Sequence, residues 1–317
     1  MFSARVPATS ANIGPGFDCM GMALTLYNTF TAEPGDTLTI ALSGAYTDSI
    51  PLSSNNLVWN SMRRFWQETD KPEQTVALVL HNMIPPTRGL GSSSTAVVGG
   101  LLLANALSGN PLSREELLRL ACVIEGHPDN VTPAFLGGVT LTVQDKGPRI
   151  GGNPGSDRDS GPDSSDTILP RVLDPSPGFK VVVVIPDILV ETEKARAILP
   201  PLLSREDLIF NASRVGLLVN AIMSRDYALL ATATEDRAHQ TYRAALVPGM
   251  SQALKAAVES GAYGAVLSGS GPALLAICPE KHTDDCAWVM REALLEAGLV
   301  SVSMVVDVDS LGAVISS

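Results

Sequence analysis

Over the first eighty residues, apolar and polar positions alternate, or apolar residues run together, in stretches of strand length. A short strand starts at Arg5-Val6-Pro7 and gives way to the Gly/Pro-rich turn Ile13-Gly14-Pro15-Gly16. Residues 19–26 are mostly apolar and predict a buried strand; partial alternation over 30–33 and 37–42 predicts two more. The spacing changes over 56–65, which predicts a helix with Leu57, Met62 and Phe65 available for burial. Alternation returns over 75–80, a strand that leads to Pro85-Pro86.

Residues 93–107 are apolar nearly all round and predict a helix buried between layers, ended by Ser108-Gly109-Asn110-Pro111. Ser113-Arg114-Glu115-Glu116 has the S-x-x-E form of a capping box and opens a second helix to about 123–124. Polar and turn-forming residues over 125–133 interrupt the pattern, and Gly137-Gly138 leads into a strand over 139–143. Residues 145–166 are rich in Gly, Pro, Ser and Asp, the composition of a mobile surface loop, either a variable insertion or a lid. The Val run of 180–186 is the expected first strand of a second domain. Helices follow from 192 to about 199, then over 205–223, 226–235, 250–260 and 283–298. Strands over 264–268 and 273–277 flank the turn Gly269-Ser270-Gly271-Pro272, and a closing strand covers 301–308. Strands and helices mixed in both halves indicate an α+β fold in two domains.

Composition narrows the partners. The chain has 317 residues, 45% apolar, with a net charge of −11. That charge argues against nucleic acid, which needs a basic face. Cys19, Cys122, Cys278 and Cys286 form no CxxC pair and no zinc spacing, and read as reduced thiols. Met1-Phe2-Ser3-Ala4-Arg5 lacks a signal-peptide core, and the apolar run from Val97 is too short to span a bilayer. A cytoplasmic protein with no membrane partner is the expectation.

The candidate chemistry centres on Pro85-Pro86-Thr87-Arg88-Gly89-Leu90-Gly91-Ser92-Ser93-Ser94-Thr95-Ala96. Glycines let backbone approach an anion, and the free N–H groups of a helix start favour negative charge. Serine hydroxyls can donate to phosphate or ligate Mg²⁺. No Gly-Lys-Ser/Thr follows the glycines, so this is not a Walker A loop. The plainer alternative is a Ser-capped helix after a turn.

Three Gly-rich stretches stand in order: Pro7-Ala8-Thr9-Ser10-Ala11-Asn12-Ile13-Gly14-Pro15-Gly16-Phe17-Asp18, then Pro86 through Ala96, then Leu267-Ser268-Gly269-Ser270-Gly271-Pro272-Ala273. Together they resemble the three motifs of the GHMP small-molecule kinases, over nearly the whole chain. Glu125-Gly126-His127-Pro128-Asp129-Asn130-Val131, Thr192-Glu193-Lys194-Ala195-Arg196 and His239-Gln240-Thr241-Tyr242-Arg243 resemble segments of the homoserine kinases within that family. The resemblance implies a ribosomal-S5-like N-terminal ATP-binding domain over 1–170 and a ferredoxin-like C-terminal domain over 171–317. It also implies a cleft site between them, ATP and Mg²⁺ as requirements, L-homoserine as acceptor, and a homodimer. A mevalonate-type kinase and a non-catalytic nucleotide-binding sensor of the same fold are the alternatives.

On that resemblance Asp18 pairs the substrate ammonium beside Asn12. Arg196 and Arg243 clamp the carboxylate, with His127 as a further donor, and Asn130 holds the reacting hydroxyl. Thr192 sits near the transferring phosphate, and Asp129 either supports Asn130 or acts as a base. Gly89, Leu90, Gly91, Ser92, Ser93, Ser94 and Thr95 wrap the phosphates, with Pro86, Thr87 and Arg88 preceding them. Asn56 contacts adenine, and Gly269 and Ser270 line the cleft. Glu125 with Ser93 or Ser94 holds Mg²⁺. Each has a plainer use: Asp18 and Asn12 as turn residues, the arginines as solvated charges, His127 as a helix-start residue, Asn56 and Thr192 as N-caps, Gly269-Ser270-Gly271 as a hairpin turn.

Overall fold

The computed structural model describes residues 1–145 and 167–317. The loop expected at 145–166 therefore falls, from 146 on, outside the described residues. Strands β1 (Phe2–Ala11), β2 (Met20–Pro34), β3 (Thr39–Gly44), β4 (Val76–Asn82), β5 (Val139–Asp145) and β6 (Thr167–Asp174) belong to a first sheet. Strands β7 (Lys180–Pro186), β8 (Gly264–Leu267), β9 (Leu274–Cys278) and β10 (Ser301–Val306) form a second, and β11 (Val314–Ser316) returns to the first. The first sheet runs β11-β1-β2-β4-β3, with β5 on β2 and β6 on β5; the second runs β10-β7-β9-β8. Helices are α1 (Leu57–Glu68), α2 (Ser92–Leu107), α3 (Arg114–Glu125), α4 (Pro128–Leu136), α5 (Thr192–Ala197), α6 (Arg205–Ser224), α7 (Leu230–Ala233), α8 (Gln240–Arg243), α9 (Met250–Glu259) and α10 (Thr283–Glu296).

Strand periodicity divides the core. On β7, Val181, Val183 and Ile185 face one cluster, while Val182 and Val184 face another with α9 and α10 residues Ala253, Met290 and Leu294. The first of these clusters joins the sheets, since it also contains Met20, Met22, Leu24 and Leu90. Beneath the first sheet, α1 and α2 pack Met62, Phe65, Trp66, Val98 and Leu101 against Phe30 and Leu78. At about 1.5–3 kcal/mol per fully buried large apolar side chain, this packing outweighs any local propensity.

Several expectations are corrected. The strands expected at 19–26 and 30–33 are one, β2, and β6 and β11 carried no distinct pattern. On α1, Met62 and Phe65 are buried as expected, but Leu57 is 37% exposed, and Val58, Trp59 and Trp66 share the buried face instead. Residues 128–136 are helix, not turn, with Pro128 in the first turn, where its missing N–H costs nothing, and Pro133 inside. Pro133 cannot bond the Asp129 carbonyl, and Gly21 of β2 presses on that turn: a Cβ on Gly21 would lie 1.8 Å from the Asp129 oxygen. The capping box forms, with Glu116 accepting from the Ser113 N–H at 2.8 Å.

Candidate active site

The phosphate-type loop ends at Gly91, which caps α2 in the left-handed conformation (φ 68°) and offers no side-chain hydrogen bond. The first turn of α2 also carries no acidic residue. Its serines thus do not cap the helix, and the N–H groups at its start are left to an outside acceptor. Gly89 is equally constrained, because a Cβ there would lie 2.2 Å from the Ser268 carbonyl oxygen.

The three Gly-rich stretches meet at this point. Ser268 Oγ donates to the Gly89 carbonyl at 2.6 Å and bonds Ser10 Oγ at 2.9 Å. Thr9 N–H donates to the Leu90 carbonyl, Gly269 N–H to that of Ala11, and Ala273 N–H to that of Arg88. β1, the loop and the β8–β9 turn are therefore one hydrogen-bonded wall. The Gly269-Ser270-Gly271 stretch is both a hairpin turn and part of the site.

A cavity of about 420 Å³ opens on that wall. It is lined by Asn12, Asp18, Thr87, Gly89, Leu90, Gly91, Ser92, Ser93, Ser94, Glu125, His127, Asp129, Asn130, Thr192, Arg196, Arg243, Gly269 and Ser270, with Ala11. Ser93 and Ser94 both donate to Glu125 Oε1, at 2.8 and 3.1 Å. Two hydroxyls and a carboxylate, all oxygen, suit a hard divalent cation that keeps part of its water shell.

The far side carries the charges. Arg196 donates to both oxygens of Asp18, at 3.0 and 2.8 Å, which holds its guanidinium above its usual value. Arg243 is buried, donating to the Ala195 carbonyl from Nε at 3.1 Å and the Gly269 carbonyl from Nη1 at 3.0 Å. Burial first, then the Arg196 charge, push it down to about 10. Phe17 lies between the two, with the Arg243 and Arg196 Cζ atoms 5.3 and 5.8 Å from its ring centre. His239, fully buried, faces the Gly14 carbonyl through Nε2 at 2.8 Å and Arg243 Nη1 through Nδ1 at 3.2 Å. Both contacts require the neutral Nε2–H tautomer, and burial lowers its pKa accordingly.

His127 heads α4 and pairs Asp129 Oδ1 at 2.6 Å; that hydrogen bond raises the imidazole pKa against the opposing effect of burial. The Asn130 N–H also donates to Asp129 Oδ1, at 3.0 Å. Asn12 is largely spent on structure, donating to the Gly269 carbonyl and accepting from the Asp18 N–H, both at 3.0 Å. Thr192 is the first residue of α5, after Glu191 as N-cap, and its hydroxyl lies 3.4 Å from that of Ser270.

Four expected residues lie elsewhere. Asn56 and Pro86 line an adjoining cavity of about 210 Å³ with Phe30, Ile50, Leu80 and Ala96, which shares Thr87, Ser92 and Ser93 with the first. There Asn56 does cap α1, accepting from the Val58 and Trp59 N–H groups. Arg88 turns to Asp187 at 3.5 Å, and Thr95 is buried, donating to the Ser92 carbonyl. Sequence reasoning gave no role to Asn28, whose amide donates to Thr95 and accepts from the Met83 and Ile84 N–H groups. An Asn within an apolar strand was the available signal. Thr9 and Ser268 stood inside the motifs without an assigned task.

The sequence matches the family models of the GHMP kinases N terminal domain over residues 56–138 and the GHMP kinases C terminal domain over 218–294. It is 44% identical to the homoserine kinase of Desulfitobacterium hafniense, over 99% of this chain and 100% of that one. The chain belongs to the homoserine kinases of the GHMP family. The Synechococcus homoserine kinase is 44% identical over 92% of this chain and 88% of its own. The crystal structure of homoserine kinase from Cytophaga hutchinsonii superposes with a TM-score of 0.83 at 25% identity, covering 99% of this chain and 97% of that one. A mevalonate kinase structure at 11% identity and a TM-score of 0.66, covering 97% and 99%, shares the fold. These matches bear out the α+β reading with its two GHMP kinase domains.

Proposed function

We propose that this kinase transfers the γ-phosphoryl group of ATP to the side-chain hydroxyl of L-homoserine, giving O-phospho-L-homoserine for threonine synthesis. One observation supports it above the rest. The groups suited to an α-amino acid, Asp18, Arg196, Arg243 and His127, line the same cavity as the Gly89–Ser94 loop. The nearly full-length identity with homoserine kinases supports the same acceptor.

In this reading the apolar side cavity with Asn56 takes the adenine, and the loop amides with the start of α2 take the phosphates. Ser93, Ser94 and Glu125 would hold Mg²⁺, which when bound neutralises phosphate charge. Asp18 receives the ammonium, Arg196 and Arg243 the carboxylate, and Asn130 aims the hydroxyl. The hydroxyl oxygen bonds phosphorus as the bond to ADP breaks, and its proton passes to a phosphoryl oxygen. Asp129 is committed to His127 and to the Asn130 N–H, which favours a positioning role over that of base. Thr192 and Ser270, whose hydroxyls lie 3.4 Å apart on the cavity wall, sit together beside the transferring group. Positioning and charge stabilisation carry phosphoryl transfer of this kind. A homodimer belongs to the same reading, and light scattering at working concentration tests it.

Coupled ADP release with homoserine, mevalonate, galactose or no acceptor tests the acceptor. Turnover with homoserine alone is expected; turnover with mevalonate and none with homoserine overturns the proposal.

A further inference from the structure

We propose that Thr9 is a positioning residue, which holds the Asn130 side chain by its Oδ1 and so leaves the NH₂ group to meet the acceptor hydroxyl. This rests on the functional reading above. Thr9 lies near the end of β1, fully buried, and its hydroxyl donates to Asn130 Oδ1 at 2.8 Å. Its own N–H is fixed on the Leu90 carbonyl at 3.1 Å, so β1 anchors the phosphate loop and Asn130 through one residue. The pair lies directly under the loop: a Cβ on Gly91 would be 1.9 Å from Thr9 Oγ1 and 3.2 Å from Asn130 Oδ1.

An amide side chain has two faces of opposite character; Asn130 meets Thr9 with its Oδ1, and that bond holds the side chain in place. An Oδ1 atom has no proton to give, so Thr9 must be the donor. With Oδ1 turned to the β1 wall, Nδ2 is the group Asn130 offers to the cavity it lines. A donor on the acceptor oxygen leaves the hydroxyl proton free to leave towards a phosphoryl oxygen, and leaves one lone pair to attack. A flipped amide would instead accept a hydrogen bond from the hydroxyl and hold its proton away from the phosphate. Thr9 touches neither substrate in this arrangement and acts through Asn130.

The test compares Thr9→Val, which keeps the shape and removes the donor, with Thr9→Ser, which keeps the donor, each in wild-type and Asn130→Ala backgrounds. Thr9→Val is expected to lower kcat about 10- to 100-fold, with KM for homoserine and ATP within about twofold. Thr9→Ser should stay within about threefold of wild type in kcat. In the Asn130→Ala background Thr9→Val should add nothing, because the group it orients is gone. Equal losses in Thr9→Ser and Thr9→Val, or a Thr9→Val loss that persists in Asn130→Ala, overturn the inference. If Thr9→Val does not fold, Thr9→Ala replaces it in the same two backgrounds with the same expected and overturning results, and a fall beyond about threefold in Thr9→Ser contradicts the inference. A wild-type enzyme that does not turn over homoserine fails at the first measurement, which separates loss of the functional reading from loss of this one.

Discussion

Arg243 lines the cavity and also ties neighbouring backbone together. Two of its nitrogens hold the Ala195 and Gly269 carbonyls, and the buried charge is tolerated because those bonds and the nearby carboxylates offset desolvation. Arg243→Leu should raise the homoserine KM about tenfold or more in steady-state kinetics, with ATP KM little changed. It should also cost about 1–3 kcal/mol in chemical denaturation, since the Ala195 carbonyl loses its Arg243 donor and the Gly269 carbonyl keeps only that from Asn12. An unchanged homoserine KM beside that stability loss would assign Arg243 to structure alone. His127 supplies the pH signature. Its pKa is raised by Asp129, so the stability it contributes is complete below the ordinary value of 6.5 and is lost as pH rises through the raised one. NMR titration should place the imidazole above 6.5 in the wild type and lower in Asp129→Asn. An unchanged value in the variant would remove that hydrogen bond as the cause.

Among the elements, the loop from Gly89 to the start of α2 depends on backbone shape more than on side chains. Gly91→Ala forces a Cβ into the Thr9 hydroxyl at 1.9 Å, besides the strain of φ 68°. Gly109→Ala carries the same class of strain (φ 80°) in open space. Gly109→Ala should therefore cost about 1 kcal/mol by denaturation with normal turnover. Gly91→Ala should lower kcat/KM for ATP by about 100-fold or more. Similar activity in the two variants would deny the loop its close approach. Ser113→Ala removes the cap of α3, away from the cavity, and should cost about 1 kcal/mol with no kinetic effect. What could be read from the chain also divides by element. The α2 helix, the α3 capping box and the Val run of β7 carry their own patterns, and the structure has them where the sequence puts them. Helix α4 does not, because Pro128 and Pro133 carry the local signs of a turn while tertiary contacts keep the helix. Gly21, near the start of β2 and remote from α4 in sequence, makes room for the Asp129 carbonyl, a long-range fit that no local window displays.

For the whole molecule, the site is where two sheets are stitched together. The core cluster that joins Met20, Met22 and Leu90 to Val181, Val183 and Leu275 fixes the sheets, and the Ser10–Ser268–Gly89 contacts fix their edges at the cavity. The residues brought together there were legible from their motifs, which named Asp18, Glu125, Asn130, Arg196 and Arg243 as neighbours although they are far apart in sequence. Their mutual pairing was not legible. That Arg196 closes on Asp18, that Asn12 is spent on Gly269, and that Arg88 turns to Asp187 depend on distances only the fold sets.

If the kinase acts as proposed, the phosphoryl group ends on the side-chain oxygen of homoserine. Phosphorus NMR of a reaction with ATP, Mg²⁺ and L-homoserine tests it most directly. A phosphomonoester resonance coupled to the side-chain methylene protons, growing in step with ADP, is the predicted result. Inorganic phosphate growing with ADP while homoserine stays unmodified would contradict it.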